Sequence, residues 1–415
     1  MSDSQPTFTH HCSVCGKSSS LRCSRCLGAQ YCDVSCQRKD WKSHKESCKD
    51  AEVFKKAIEH FHGPQTTVED VDEQIVELRR EAELGDKYAL YNLGLAYETG
   101  MGVAKDQVEA TKLFHKCAEL GYLDAQFNLG NAYNNGHGVE VNKAEAVKWW
   151  RKAAEAGHAK SQHNLGRALH NGYGVEKDEN ESFKWYLKAS KAGESESLNY
   201  VGFAYNNGVG VSIDKGKAFT YYKKAAELGN AGAQFNLAVS FSKGNGCAID
   251  KVSAFMWYKR AADQGNIKSM YNTGYCYANG DGVAIDEFAA FKYYKQAAEG
   301  GYVDAQTNVG ACYLNGEGVT VDLVKGVKWM RKAAESGHSN ASCYLALAFK
   351  YSDGVAIDLV ESFKWFKVAA EGGDAEAQWH FSLAYRSGEG VAVDDHEAER
   401  WEKLALEGGY TPDFE

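Results

Sequence analysis

Small, apolar and aromatic residues recur along this chain with a period of 36 residues. Glycines stand at Gly85, Gly121, Gly157, Gly193, Gly229, Gly265, Gly301, Gly337, Gly373 and Gly409, always at that interval. Positions are numbered here from each leading glycine. Position 4 is Ala or Ser in every repeat, from Ala89 to Ala377. Position 8 is apolar in all but one, where Thr273 stands, and position 12 is aromatic or Leu, as in Tyr97, Phe241 and Tyr385. The spacing 4, 8, 12 follows one face of a helix, and small residues on that face let helices approach closely. This predicts a first helix, A. Positions 15 and 17 are glycines such as Gly136 and Gly138, with Ser352 the one departure at position 15, and position 18 is Val except for Cys247. These predict a loop. Position 21 is Asp, or Asn142 once, just before a second apolar stripe, which suits a helix N-cap. Position 28 is aromatic in eight repeats, including Trp149, Trp185, Trp257, Trp329, Trp365 and Trp401, and positions 32 and 33 are mostly Ala. The next leading glycine then closes helix B. Nine such helix–loop–helix repeats run from Asp86 to Gly409, and a fixed period of this size marks a solenoid.

Composition agrees. The chain has 42 glycines but only three prolines, Pro6, Pro64 and Pro412, so the repeat region holds none. With 44% apolar and 25% charged residues it is too apolar for wholesale disorder. No apolar run reaches eighteen residues, which speaks against a membrane span, and the polar stretch Met1 to His10 does not resemble a signal peptide. The expectation is an intracellular protein, cytoplasmic or nuclear. The predicted organisation is a flexible tail at 1–10, a cysteine-rich head at 11–49, and a connecting helix and turn at 50–67, the helix read from Lys49 at the end of the head to His62 and the turn from Gly63 to Thr67. A capping helix at 68–85, the repeats at 86–409 and a tail at 410–415 follow. Net charge is −9, divided as +3 over residues 1–50 and −12 over the rest. An acidic body speaks against nucleic-acid binding, which calls for a concentrated basic face.

Seven of the twelve cysteines lie in the head, which reads Cys12-x2-Cys15-x7-Cys23-x2-Cys26-x5-Cys32-x3-Cys36-x7-His44-x3-Cys48. Dense Cys/His spacing in a chain without a secretion signal points to metal before disulfide. A CxxC pair closes a knuckle around zinc, and ligands at i and i+4 share one face of a helical turn. Eight ligands make two four-coordinate sites with no open position, hence structural and not catalytic zinc. Seven thiolates and two zincs would take the head from +3 to neutral. So short a head cannot bury an adequate core, and zinc would supply its folding energy, about 10 kcal/mol per site.

With Tyr31 before Cys32 and Gln37-Arg38-Lys39-Asp40-Trp41 after Cys36, the head resembles a MYND-type zinc finger over residues 12–48. A RING-type finger also interleaves two zincs but ends in CxxC, whereas this one ends in His-x3-Cys. The resemblance implies interleaved sites, one zinc on Cys12, Cys15, Cys32 and Cys36, the other on Cys23, Cys26, His44 and Cys48. It also implies a shallow groove for proline-rich peptides, formed here by Ser24, Gln37 and Trp41. The body motif A-x-x-x-L-G-x-x-Y…G-x-G-V…D…A-x-x-W…A-A-x-x-G resembles the Sel1-like repeat, a relative of the tetratricopeptide repeat. It implies an all-α, right-handed solenoid with helix A on the concave side. The five body cysteines, Cys117, Cys247, Cys276, Cys312 and Cys343, fall at register positions where they read as core substitutions, and the position-28 tryptophans read as inter-helix packing.

Two surfaces are candidates for partners. Besides the finger groove, positions 6, 10 and 13 share a helix face and vary between repeats, which suggests recognition and not packing. Beside them, position 7 is Asn92, Asn128, Asn164, Asn236, Asn272 and Asn308. This ladder either holds an extended peptide, as in related superhelices, or bonds a neighbouring repeat. The expected function is a non-enzymatic adaptor in which finger and solenoid each bind polypeptide. The alternatives are a transcriptional co-regulator acting through the finger, or a regulatory subunit of a methyltransferase-type enzyme. No nucleotide loop, Ser/His/Asp setting or open metal site is evident.

Overall fold

The computed structural model describes residues 21–22, 30–31 and 68–411. The expected connecting helix and turn before residue 68, and most of the cysteine-rich head, lie outside the described residues. In the head, β1 (Leu21–Arg22) pairs antiparallel with β2 (Gln30–Tyr31), Leu21 opposite Tyr31 and Arg22 opposite Gln30. From residue 68 the chain is helical, beginning with Val68–Glu83. It then alternates helix A and helix B in nine tandem pairs, from Lys87–Thr99 with Gln107–Glu119 to Ala375–Ser387 with Asp395–Glu407. Among the described residues no helix is long and apolar enough to cross a membrane.

The described chain forms two compact units, one of residues 68–197 with 209–211, the other of 198–208 with 212–411. Both are built by the same local rules. Each helix B begins where the sequence places a cap. The side chains of Asp106, Asn142, Asp178, Asp214, Asp250, Asp286, Asp322, Asp358 and Asp394 accept backbone N–H groups of the first turn, satisfying donors that the helix leaves free. Each helix A ends on position 15 in the left-handed conformation. Ser352, φ +67°, is the one residue other than glycine there among the described residues, and its hydroxyl donates to the Val355 carbonyl at 3.2 Å.

Neither unit has a single central core. Small clusters recur along the chain, such as Leu90, Leu93, Leu113, Phe114 and Leu129 in the first unit and Leu198, Tyr222, Ala225 and Leu237 in the second. Burying one such Leu contributes about 2 kcal/mol, so a repeat is stabilised only through its neighbours. Helix A meets helix B closely because position 9 is small and position 29 large. A β-carbon added at Gly130 would sit 2.5 Å from the Trp150 indole. Four of the body cysteines are buried and Cys247 is half-buried. Burial pushes the Cys117 thiol up to about 12.

Candidate interaction surface

The eight predicted zinc ligands and the groove residues Ser24, Gln37 and Trp41 lie outside the described residues. The β1–β2 connection carries Cys23 and Cys26, and Cys32 directly follows β2. The donor set itself, seven thiols and one imidazole in four closely spaced pairs, suits tetrahedral zinc and leaves no open position.

In the repeats, five of the six position-7 asparagines are engaged with protein groups. Asn128 donates to the Tyr91 hydroxyl at 3.1 Å, Asn164 to Asn131 Oδ1 at 3.1 Å and Asn236 to Asn199 Oδ1 at 2.9 Å. Each of these bonds reaches the preceding repeat. Asn308 bonds the phenols of Tyr271 and Tyr294. Asn272 donates to the Lys268 carbonyl of its own helix at 2.7 Å, and Asn92 is half-buried.

Position 6 requires a correction. Its variability led to the expectation of a recognition face, but in six repeats it packs on position 1 of the following repeat. Tyr91 lies 4.9 Å from Tyr122, Phe127 5.3 Å from His158, Tyr271 4.9 Å from Tyr302 and Trp379 5.5 Å from Tyr410, measured between ring centres. His163 meets Glu194 at 3.4 Å and Cys343 bonds Asp374. In these six repeats the residue at position 6 is matched to a partner 31 residues later that differs along with it. Position 1 also caps helix A. Asp86, Asn230, Asn266 and Asp374 accept N–H groups there, whereas Tyr122 and Tyr302 make no such bond. Where a pair of tyrosines is built, the cap is given up.

Positions 10 and 13 stay more open. Phe203 and Tyr275, at position 10, are 40% and 45% exposed. Arg167 is exposed, and no ion-pair partner for it is found among the described residues. Two features leave no mark in the apolar pattern. The first is glutamine at position 5, where Gln126, Gln162, Gln234, Gln306 and Gln378 each donate to a carbonyl near the end of the preceding helix B. Its recurrence in five repeats is the signal that the sequence does carry. The second is a cation stacked over position 28, as with Lys188 Nζ 3.8 Å from the Trp185 ring centre and the Arg260 guanidinium 4.6 Å from Trp257. It contributes about 0.5–1 kcal/mol where exposed.

One group gathers titratable side chains between repeats. His163 Nδ1 lies 2.9 Å from the Ser197 hydroxyl and 3.4 Å from Glu194, and Nε2 lies 3.3 Å from Glu196. Burial pushes the Glu194 carboxyl up, but hydrogen bonds from His163 and from the Ser197 backbone and hydroxyl outweigh it and hold the group at about 2.

Comparison with known proteins agrees with this geometry. The Sel1 repeat profile matches nine successive segments, from 87–122 to 375–410, more than three quarters of the chain. The chain belongs to the Sel1 repeat family. A MYND finger profile matches residues 12–48, and that family binds zinc. The chain is similar to the protective antigen c5321 of uropathogenic Escherichia coli, a solved structure with an SLR fold. The identity is 31%, the TM-score 0.66, and the match covers 81% of this chain and 80% of that one. It is also similar to a Sel1 repeat protein from Oxalobacter formigenes, 29% identical with TM-score 0.55, over 72% of this chain and 87% of the other. Curated relatives match only over short segments. "Ubiquitin carboxyl-terminal hydrolase 19" of Arabidopsis thaliana is 55% identical over 42 residues, 10% of this chain and 6% of that protein. "N-lysine methyltransferase SMYD2" of Rattus norvegicus is 47% identical over 47 residues, 11% of each. The match thus spans about a tenth or less of the length of these relatives.

Proposed function

We propose that this protein is a non-enzymatic adaptor which holds one polypeptide at its MYND finger and another on its Sel1 repeats, bringing the two together. Sel1 repeats and MYND fingers are protein-interaction modules, and together they account for most of the chain. The observation that carries the reading is the contrast within helix A. Packing positions such as 4, 8 and 9 are filled alike from repeat to repeat, while position 10 carries seven residue types in nine repeats, including the exposed aromatics Phe203 and Tyr275. Aromatic side chains of this kind anchor interfaces. The hydrolase and methyltransferase named above share too little of their length to lend this chain their chemistry.

In the finger, two structural zincs on the interleaved ligand sets would shape a groove in which Trp41 offers proline rings an apolar platform, while Ser24 and Gln37 bond the peptide backbone. On the repeats, the asparagines at position 7 would exchange part of their inter-repeat bonding for an extended peptide backbone. The test is Trp41→Ala, which removes an indole and no zinc ligand. Binding of proline-containing peptides should weaken by about 2 kcal/mol, some thirtyfold, with zinc content and array-bound partners unchanged. Undiminished peptide binding in the zinc-replete variant would refute the groove and move recognition onto the repeats.

A further inference from the structure

A cleft between repeats 2 and 3 differs in charge from its counterpart between repeats 1 and 2. It is a cavity of about 230 Å³ lined by Asn134, Lys143, Trp150, Arg167, Ala168 and Tyr173. Trp150 is 3% exposed and its indole N–H has no partner among the described residues. Lys143 Nζ donates to the Asn134 carbonyl at 2.7 Å and to its Oδ1 at 3.0 Å. Neither Lys143 nor Arg167 is paired with a carboxylate among the described residues. In a body whose net charge is −12, two cations lining one cleft without an acid is a departure.

The array shows which group belongs there. Lys143 stands at position 22, and the residue thirty places later, at position 16 of the next repeat, faces it. In the second unit the same register gives Lys251 Nζ to Asp281 Oδ1 at 2.6 Å and Lys215 Nζ to Asn245 Oδ1 at 3.3 Å. A lysine at position 13, Lys350, likewise meets the position-16 acid Glu389 at 2.7 Å. For Lys143 the position-16 residue is Tyr173, 56% exposed and unable to supply a negative charge. Arg167 at position 10 adds a second cation where other repeats carry Val239, Tyr275 or Leu383. The register-equivalent cleft between repeats 1 and 2 is lined instead by Glu98, Gln107, Asn131 and His137 and is much smaller, about 30 Å³. The cationic cleft is therefore a property of one repeat pair and not of the repeat.

We infer that the cleft between repeats 2 and 3 takes an Asp or Glu side chain of a partner polypeptide, held by Arg167 and Lys143 beside the exposed ring of Tyr173. This rests on the reading that the repeats bind polypeptide, and it names the chemistry that selects the segment bound. A guanidinium fork matches a planar carboxylate through two parallel hydrogen bonds. The incoming carboxylate would take the place that Asp281 occupies against Lys251. Tyr173 leaves the room and supplies an apolar wall for the methylene stem of the acidic side chain.

The test uses the full chain, immobilised, and four libraries of acetylated, amidated hexapeptides that are random except for a fixed central residue, Glu, Gln, phosphoserine or Lys. The Glu library should be retained about tenfold over the Gln library, the worth of a charge-assisted hydrogen bond. Arg167→Ala should abolish that excess. Tyr173→Glu, which installs the acid found at Glu389, should abolish it too, while Lys251→Ala should preserve it. All three side chains reach solvent, so the helical circular dichroism of each variant should match the parent. Equal retention of Glu and Gln libraries would overturn the inference while leaving the adaptor reading standing. So would an excess surviving both cleft variants, or a phosphoserine library retained well above the Glu library. Retention of no library above bare support would overturn both the inference and the reading that the repeats bind peptide.

Discussion

The glycine pair Gly157 and Gly174 separates two reasons for glycine in this repeat. Gly157 leads repeat 3 with φ +94°, and a β-carbon added there would meet no atom within 4 Å. Gly174 sits at position 17 with φ +70°, and its β-carbon would lie 2.2 Å from the carbonyl carbon and oxygen of Lys143 and 2.6 Å from the Ala144 nitrogen. Gly157→Ala therefore incurs only the left-handed backbone cost, about 1 kcal/mol. Gly174→Ala incurs the same cost plus a clash with main chain at the start of helix Lys143–Glu155, which cannot rotate away as a side chain would. Relief needs a backbone shift of about 1 Å, and overpacking of that kind costs about 2 kcal/mol more. The expected difference between the two variants is thus about 2 kcal/mol, some thirtyfold in the local opening equilibrium.

A single melting temperature would blur this, because repeat stability is a sum of local terms. Native-state hydrogen exchange of amides in Lys143–Glu155 and Ala159–Asn171 reads it directly. Two variants equal within about 0.5 kcal/mol would refute the claim that position 17 is glycine because of inter-repeat contact. The same contact holds the loop bearing Tyr173 against the helix bearing Lys143. Gly174→Ala should therefore also blunt acid selectivity without touching either cation.

Elemental analysis should find two zincs per chain, none of them retained by a fragment from residue 65 onward, whose helical circular dichroism should be indifferent to chelators; zinc in that fragment would refute the division. Glu194 makes a pH prediction with a fixed sign. Its carboxyl is held at about 2, below the ordinary value of about 4.3, so its stabilisation is complete above the ordinary value and lost as pH falls towards 2. Between pH 5 and 2 the parent should lose stability more steeply than Glu194→Gln, by urea titration at each pH, and parallel curves would contradict the His163–Ser197 account.

What is legible in the sequence is what local chemistry decides. Every helix B cap from Asp106 to Asp394 can be named from the sequence, because an Asp or Asn before an apolar stripe has one strong use. Ser352 stands out as a departure, and it adopts the glycine conformation of its position. The zinc ligands are legible as candidates because soft donors at those spacings have few other uses. The coupling of position 6 to position 1 of the next repeat is not legible. Its partners lie 31 residues apart and change together, so column by column each looks free. The pairs Tyr91/Tyr122, Phe127/His158 and His163/Glu194 share no chemistry that a column would reveal. The recurrence of Gln126 and its counterparts at position 5 is visible in the sequence but their role is not, since the Gln126 amide serves the Ala118 carbonyl eight residues earlier, across a loop the helical pattern ignores.

This changes how variation in a repeat protein bears on function. A position that varies is evidence of recognition only if nothing within the chain varies with it. Trp379 is answered by Tyr410, Cys343 by Asp374 and Lys251 by Asp281, and each of these departures is consumed internally. Lys143 reaches only Asn134 and shares its cleft with Tyr173, where Lys251 and Lys215 find an acid or an amide in the next repeat, and Arg167 is added on the same cleft. The unanswered charge, and not the variable column, is what the fold leaves for a partner. Repeated packing gives every repeat the same shape, so the choice of partner has to reside in such unanswered positions. An array of nine repeats can therefore be specific although most of its packing positions are filled nearly alike from one repeat to the next.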